Sequence, residues 1–221
     1  GTVLSEKIRA ILLDKENIEL ISTAESLLFA AARAQLTAEQ IKPAIAKGEF
    51  VICDRFTDST IAYQGYGRGL DINKLEEINH IATEGLMPDV TFILDIAPEV
   101  AAERIEADSP DRMEATGIDF FRRIRGGYRD IKDQNPNRYR LINGEQSPEN
   151  VFKEIKEIVM NKFAGYDNHL YNIKDYNEIY DSCNIGISSK EITENDPESV
   201  DINTTFGWEN DIHGGNRYSF N

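Results

Sequence analysis

The sequence predicts an α/β chain organised on a buried parallel sheet. Two runs, FVICD at 50–54 and VTFILDI at 90–96, are almost continuously apolar, the pattern of strands covered on both faces. Around them lie stretches with apolar residues at helical spacing, so strands and helices alternate. A third observation places a site. Each run carries an acidic residue at or next to its end, Asp54 (followed by Arg55) or Asp95, and ligands of open α/β sheets sit outside the carboxyl ends of the strands. A carboxylate there can hold a metal ion through water, and a guanidinium can grip phosphate oxygens in a fork. A strand-end ion pair on a solvated rim is the alternative.

In chain order, the first helix follows Gly1 directly, with Ile8, Ile11 and Leu12 at helical spacing. Residues 23–47 read as one long helix, capped by Thr23, with Leu27, Leu28, Ala31 and Leu36 on its apolar face and Gly48 at its end. Phe29 and Arg33 stand four apart and share a face. Such a pair can stack on a base and donate to its edge, or can be a core ring beside a snorkelling cation. After the strand at 50–54, residues 58–65 begin a helix, with Asp58 or Ser59 as a cap. Gly65, Gly67 and Gly69 make a pliant turn that lacks the Gly-Lys-Ser/Thr ending of a phosphate cradle.

Residues 71–84 form an amphipathic helix carrying Leu75, Ile78 and Ile81, and Pro88 precedes the strand at 90–96. A helix from Pro98 runs to about residue 107, and a linker leads into Arg112. The helix at 114–133 carries Ile118, Phe121, Ile124 and Tyr128 on its apolar face, with Arg122, Arg123, Arg125 and Arg129 on a solvated one. A short strand at 139–142 and a helix from Ser147 to Lys162, with Pro148 at its first position, complete the body.

The chain has 221 residues, enough for one good core with or without an appendage. Its net charge of −15 and pI of about 4.6 argue against a nucleic-acid or anionic-membrane partner. No apolar run is long enough for a membrane span, and no basic-then-apolar leader is visible. Cys53 and Cys183 show neither metal nor redox spacing, and Cys53 reads as a small hydrophobe in its strand. A cytoplasmic protein is the simplest inference. Beyond residue 163 acidic residues far outnumber basic ones, and Asn, Asp, Ser and Tyr replace the aliphatics. The expected division is a domain at 1–163 and a poorly ordered acidic extension at 164–221.

Asp54-Arg55-Phe56, Ser59-Thr60, Ala62-Tyr63-Gln64 and Gly67-Arg68-Gly69 together form one long signature. It resembles the second active-site motif of the thymidylate kinases, which phosphorylate dTMP. LLFAAARAQL at 27–36 resembles their thymine-binding helix, PDVTFILDI at 88–96 their next strand, and DRMEATGIDFFRRIRGGY at 111–128 the segment after their lid. Several ordered motifs at family spacing weigh more than any one alone. The likeness runs from Gly1 to about Phe163.

The resemblance implies a three-layer parallel sheet of the P-loop nucleoside monophosphate kinase type, incomplete at the N-terminus. It implies transfer of the ATP γ-phosphate to dTMP with Mg²⁺. Phe29 would stack on thymine, Arg33 would reach a base carbonyl, and Ser59 and Thr60 the base edge. Tyr63 would lie under the deoxyribose, Gln64 near the phosphates, and Arg68 towards the ligand. Arg55 would orient the acceptor phosphate, and Asp54 would hold Mg²⁺ through water. Arg104 and Arg112 would act as lid arginines, whereas Glu106 and Asp108 stand where further arginines are expected. The helix at 71–84 would help build a homodimer, although packing on the sheet explains its pattern equally well. Asn143 to Ser147 would touch adenine by backbone or serve as a plain loop.

No Gly-Lys-Ser or Gly-Lys-Thr occurs in the sequence. The family's sheet order, 2-3-1-4-5, leaves a gap between 50–54 and 90–96, for which NIGISS at 184–189 is the best candidate. The expected activity is therefore impaired. An inactive nucleotide-binding module, or an interaction protein acting through its acidic tail, is the alternative.

Overall fold

The computed structural model describes residues 1–106 and 117–164. Arg112, Cys183, the 184–189 segment and nearly all of the acidic extension lie outside the described residues. Helix α1 (Val3–Leu13) opens on a reciprocal cap: Thr2 Oγ1 accepts from the Ser5 amide at 3.1 Å, and Ser5 Oγ accepts from the Thr2 amide at 2.8 Å. It packs against α2 (Ser22–Leu36). The predicted long helix is present, but α2 passes through a π-helical stretch, Thr37–Ile41, before becoming α3 (Lys42–Ala46). Thr23 is not its cap. Ile21 holds that position without a side-chain bond, and the Thr23 carbonyl instead accepts from Ser26 Oγ at 2.9 Å.

The expected inner strand at 50–54 is corrected. Among the described residues the sheet has two strands, β1 (Thr91–Asp95) and β2 (Tyr139–Asn143), parallel and in register from Thr91 opposite Tyr139 to Asp95 opposite Asn143. Residues 50–53 join no ladder among the described residues, Asp54 forms only an isolated bridge, and Phe50 and Ile52 are 43% and 41% exposed. Apolar composition states that a segment suits a pleated surface, but a strand also needs a neighbour to take its amide and carbonyl bonds. The Phe50 ring instead meets Phe163 edge-on, with centroids 5.5 Å apart. The fold class, α/β with a parallel sheet, stands on β1 and β2.

After the extended segment comes a single turn, α4 (Thr57–Thr60), which runs into a second π-helical stretch, Ile61–Gly67. The stretch closes with Arg68 N–H donating to the Tyr63 carbonyl at 2.9 Å, an i to i−5 bond. Helix α5 (Ile72–Thr83) is capped by Asp71. Leu75 faces inward as predicted, but Ile81 is 76% exposed and lies off the core face. Helix α6 (Pro98–Glu106) follows β1, α7 (Ile118–Gln134) precedes β2, and α8 (Pro148–Lys162) starts on the predicted Ser147 cap and Pro148.

One core cluster joins the 61–67 stretch, α5, β1 and α7 through Ile61, Leu75, Ile93, Phe120 and Ile124. A second joins Ala32, Leu36, Ile41 and Phe56 with the flank of Val51 and Cys53. The apolar face of α7 is shifted from the predicted one. Phe120 is 2% exposed and Ile131 is buried, whereas Phe121 is only partly covered. Gly67 explains the close approach: a Cβ there would stand 2.6 Å from the Phe120 ring.

Candidate functional site

Arg55 leaves the extended segment with φ +64. A left-handed non-glycine residue of this kind costs about 1–3 kcal/mol and persists where the surroundings dictate it. Its guanidinium lies 4.9 Å from the centroid of the Tyr63 ring. Burial works against its charge, but the Tyr63 and Tyr128 hydroxyls and Asp54 outweigh that, so its pKa lies above the ordinary value. Asp54, partly exposed, has its pKa raised by burial, against the opposing pull of Arg55 and Arg9. Burial pushes the Cys53 thiol up to about 12, which makes it an inert packing group.

Every residue of α4 is buried, and the side chains of Asp58, Ser59 and Thr60 each have a hydrogen-bond partner. Arg33 is 0% exposed, so it does not snorkel. Its Nη1 donates to Asn79 Oδ1 at 2.8 Å, and its Nη2 donates to Thr60 Oγ1 at 2.8 Å and to the Phe56 carbonyl at 3.3 Å. Burial lowers its pKa to about 10, still well above neutrality. Phe29, one helical turn earlier, is also buried, at 2% exposure. Ser59 Oγ and the Tyr128 hydroxyl stand 2.8 Å apart. Gln64 Nε2 donates to Glu25 Oε1 at 3.0 Å, and Arg68 Nη2 approaches Glu25 Oε2 at 3.5 Å.

Asp58 is a hub rather than a helix cap. Arg138 grips it with two 2.8 Å bonds, Tyr139 Oη donates at 2.7 Å, and Thr91 Oγ1 donates at 3.0 Å. These bonds tie α4 to the first residues of β1 and β2. Burial raises the Asp58 pKa, and Arg138 opposes the rise.

The structure therefore brings Arg33 against Thr60, and Arg55 against Tyr63, with Ser59 directly before Thr60 in sequence. It places Arg104 elsewhere, with Nη1 donating to the Gly144 carbonyl at 3.3 Å. The arginines of α7 are not a plain solvated face. Arg125 binds Asp95 through Nε at 2.7 Å and Nη2 at 2.9 Å, and Arg129 joins at 2.7 Å. Arg123 donates to the Gly67 carbonyl, and Arg122 pairs with Glu99 and Asp119. Glu25 and Asn79 escaped the sequence reading, although both carried a signal. Glu25, Phe29 and Arg33 continue one four-residue spacing, and Asn79 follows Leu75 by four on the apolar face of α5. Arg138 carried none.

Hydrogen bonds from Arg125 lead in holding the Asp95 pKa down to about 2; burial opposes them and Arg129 assists. A depressed carboxylate contributes stability above its unfolded pKa of about 3.9 and loses it as pH falls towards 2. After discounting for the solvent that screens Arg129, Asp95→Asn is expected to cost about 1–2 kcal/mol at pH 7. Urea denaturation should show that this difference shrinks between about pH 4 and pH 2. A difference that does not change with pH would contradict the pairing.

Among the described residues no group of three or more His, Cys, Asp or Glu could cage a metal ion. A lone carboxylate such as Asp54 suits a hard cation that keeps its waters and shares substrate phosphates, as Mg²⁺ does. None of the described helices is long and apolar enough to cross a membrane.

A family model described as thymidylate kinase matches residues 1–155. The thymidylate kinase of Desulforudis audaxviator (strain MP104C) is 47% identical over 146 residues, covering 66% of this chain and 66% of that protein. That of Chlorobaculum tepidum is 47% identical over 165 residues, covering 70% of this chain and 77% of that protein. This chain thus spans just under two thirds of the length of the first of these relatives. A crystal structure of thymidylate kinase from Ehrlichia chaffeensis is similar with a TM-score of 0.57 at 34% identity, covering 72% of this chain and 75% of that one.

Proposed function

The chain belongs to the thymidylate kinase family, and from that membership we propose that it transfers the γ-phosphate of ATP to dTMP, giving dTDP for dTTP synthesis. A dTMP phosphate oxygen forms the new bond to the γ-phosphorus as the bond to the ADP oxygen breaks. Arg55 orients the acceptor phosphate, and Gln64 lies beside it. Arg33 donates to a thymine carbonyl, Phe29 stacks on the ring, Ser59 and Thr60 meet the base edge, and Tyr63 backs the deoxyribose. Asp54 is the residue that would hold Mg²⁺ through water, and the ion would supply charge to offset the phosphate oxygens. Arg104 and Arg112 offset charge that develops during transfer. A homodimer through α5, where Ile81 is 76% exposed, and a cytoplasmic location complete the proposal.

The observation that supports this most directly is the Arg33 guanidinium. It is a donor-only group, fully buried, and held by three acceptors beside the first turn after Asp54-Arg55. A buried donor-only group suits a partner that presents carbonyl oxygens. Thermal denaturation with added nucleotide tests it: dTMP should raise the melting temperature more than dCMP or UMP does. Equal responses would refute a thymine site.

The absence of Gly-Lys-Ser or Gly-Lys-Thr from these residues favours a second reading, in which these 221 residues hold the acceptor while donor handling is impaired. Coupled ADP release from this chain, beside that from the same chain joined to a phosphate-cradling loop, separates the two.

A further inference from the structure

We propose that Asn79 is a positioning residue for base selection: it fixes the Arg33 guanidinium against α4 and so sets the preference for thymine over cytosine. The inference rests on the dTMP reading above. Asn79 lies on α5, 5% exposed, and is 46 residues from Arg33 in sequence. Both ends of its amide are engaged. Its Oδ1 accepts from Arg33 Nη1 at 2.8 Å, and its Nδ2 donates to the Thr57 carbonyl at 3.1 Å. One side chain thus joins the helix that carries Arg33 to the turn that carries Ser59 and Thr60, the residues assigned to the base edge.

Burying an amide is costly unless both of its ends are paired. On a helix face that also presents Leu75, Ala82 and Thr83 to the core, an aliphatic residue would pack without that cost. The bond to Arg33 is what an aliphatic residue could not supply. Asn79 is not assigned to the nucleotide; it acts through the orientation of the guanidinium fork. Thymine presents a carbonyl oxygen at the position where cytosine presents an amino group. A donor-only fork held at one angle donates to the first and meets the second donor to donor. A fork released from the Asn79 acceptor can swing aside, and the penalty on cytosine then falls.

The test uses the full chain and calorimetric titration with dTMP and with dCMP, on the wild type, Asn79→Ala and Asn79→Asp. Folding is checked by circular dichroism, and Asn79→Ser replaces the alanine variant if that variant does not fold. The ratio of dTMP to dCMP affinity should fall about tenfold or more in Asn79→Ala, the weight of one hydrogen bond to a charged group. Asn79→Asp keeps the acceptor for Arg33 and should keep the ratio within about threefold of the wild type. A purely structural role predicts otherwise: the melting temperature drops and both nucleotides weaken together. An unchanged ratio in Asn79→Ala, or a lost ratio in a folded Asn79→Asp, overturns the inference. A wild-type chain that does not prefer dTMP overturns the dTMP reading itself, and this inference with it.

Discussion

Asp58→Ala is expected to destabilise the chain by about 3–5 kcal/mol, the cost of leaving a buried charge without its partner. The side chains of Asp58 and Arg138 are 9% and 13% exposed, so little water can replace the lost carboxylate. Three donors lose their acceptor at once: Arg138, Tyr139 Oη and Thr91 Oγ1. The pair as a whole is a different matter. Two desolvated ions recover little more than their burial costs, and apolar residues of similar volume are often no worse. The double variant Asp58→Leu with Arg138→Met should therefore lie closer to the wild type than Asp58→Ala does. Denaturant melts of the three chains decide this. If the single variant is as stable as the wild type, the hub does not hold α4 to the sheet.

That hub also shows where sequence reading stops. The residues that carry the family signature, from Asp54 to Gly69, are contiguous, so their order is visible before any fold is known. Phe29 and Arg33 are linked by helical spacing, and the structure puts both on the buried side of α2. Asp58 and Arg138 are 80 residues apart, and no local pattern announces that they meet. The same limit applies to residues 50–54. Val51 and Ile52 record a taste for extended backbone, but pairing belongs to whatever segment lies alongside. The arginines of α7 mislead for a related reason. A run of cations on a helix is usually solvated, and only the placement of α7 beside the carboxyl end of β1 turns Arg125 and Arg129 towards Asp95.

Phe120→Ala should cost about 3–5 kcal/mol and Phe121→Ala about 1–2 kcal/mol, a ranking that periodicity alone would reverse. Ile118, Phe121, Ile124 and Tyr128 fit helical spacing, but so do Phe120, Ile124, Gly127 and Ile131, and the latter are the buried set. Two glycines decide between them. Gly67 leaves the space that Phe120 fills, and at Gly127 a Cβ would stand 2.5 Å from the Tyr66 ring. Together they let α7 lie close against the 61–67 stretch. Phe120 meets Tyr63 edge-on with centroids 6.0 Å apart, and Arg68 sits 4.8 Å from its centroid. Removing the ring leaves a cavity that these neighbours cannot all close, since Tyr63 and Arg68 are themselves held by Arg55 and Glu25. Paired denaturation of the two variants checks the ranking. Equal losses would mean that α7 is rotated from the orientation described, and the links from Arg123 to Gly67 and from Arg125 to Asp95 would go with it.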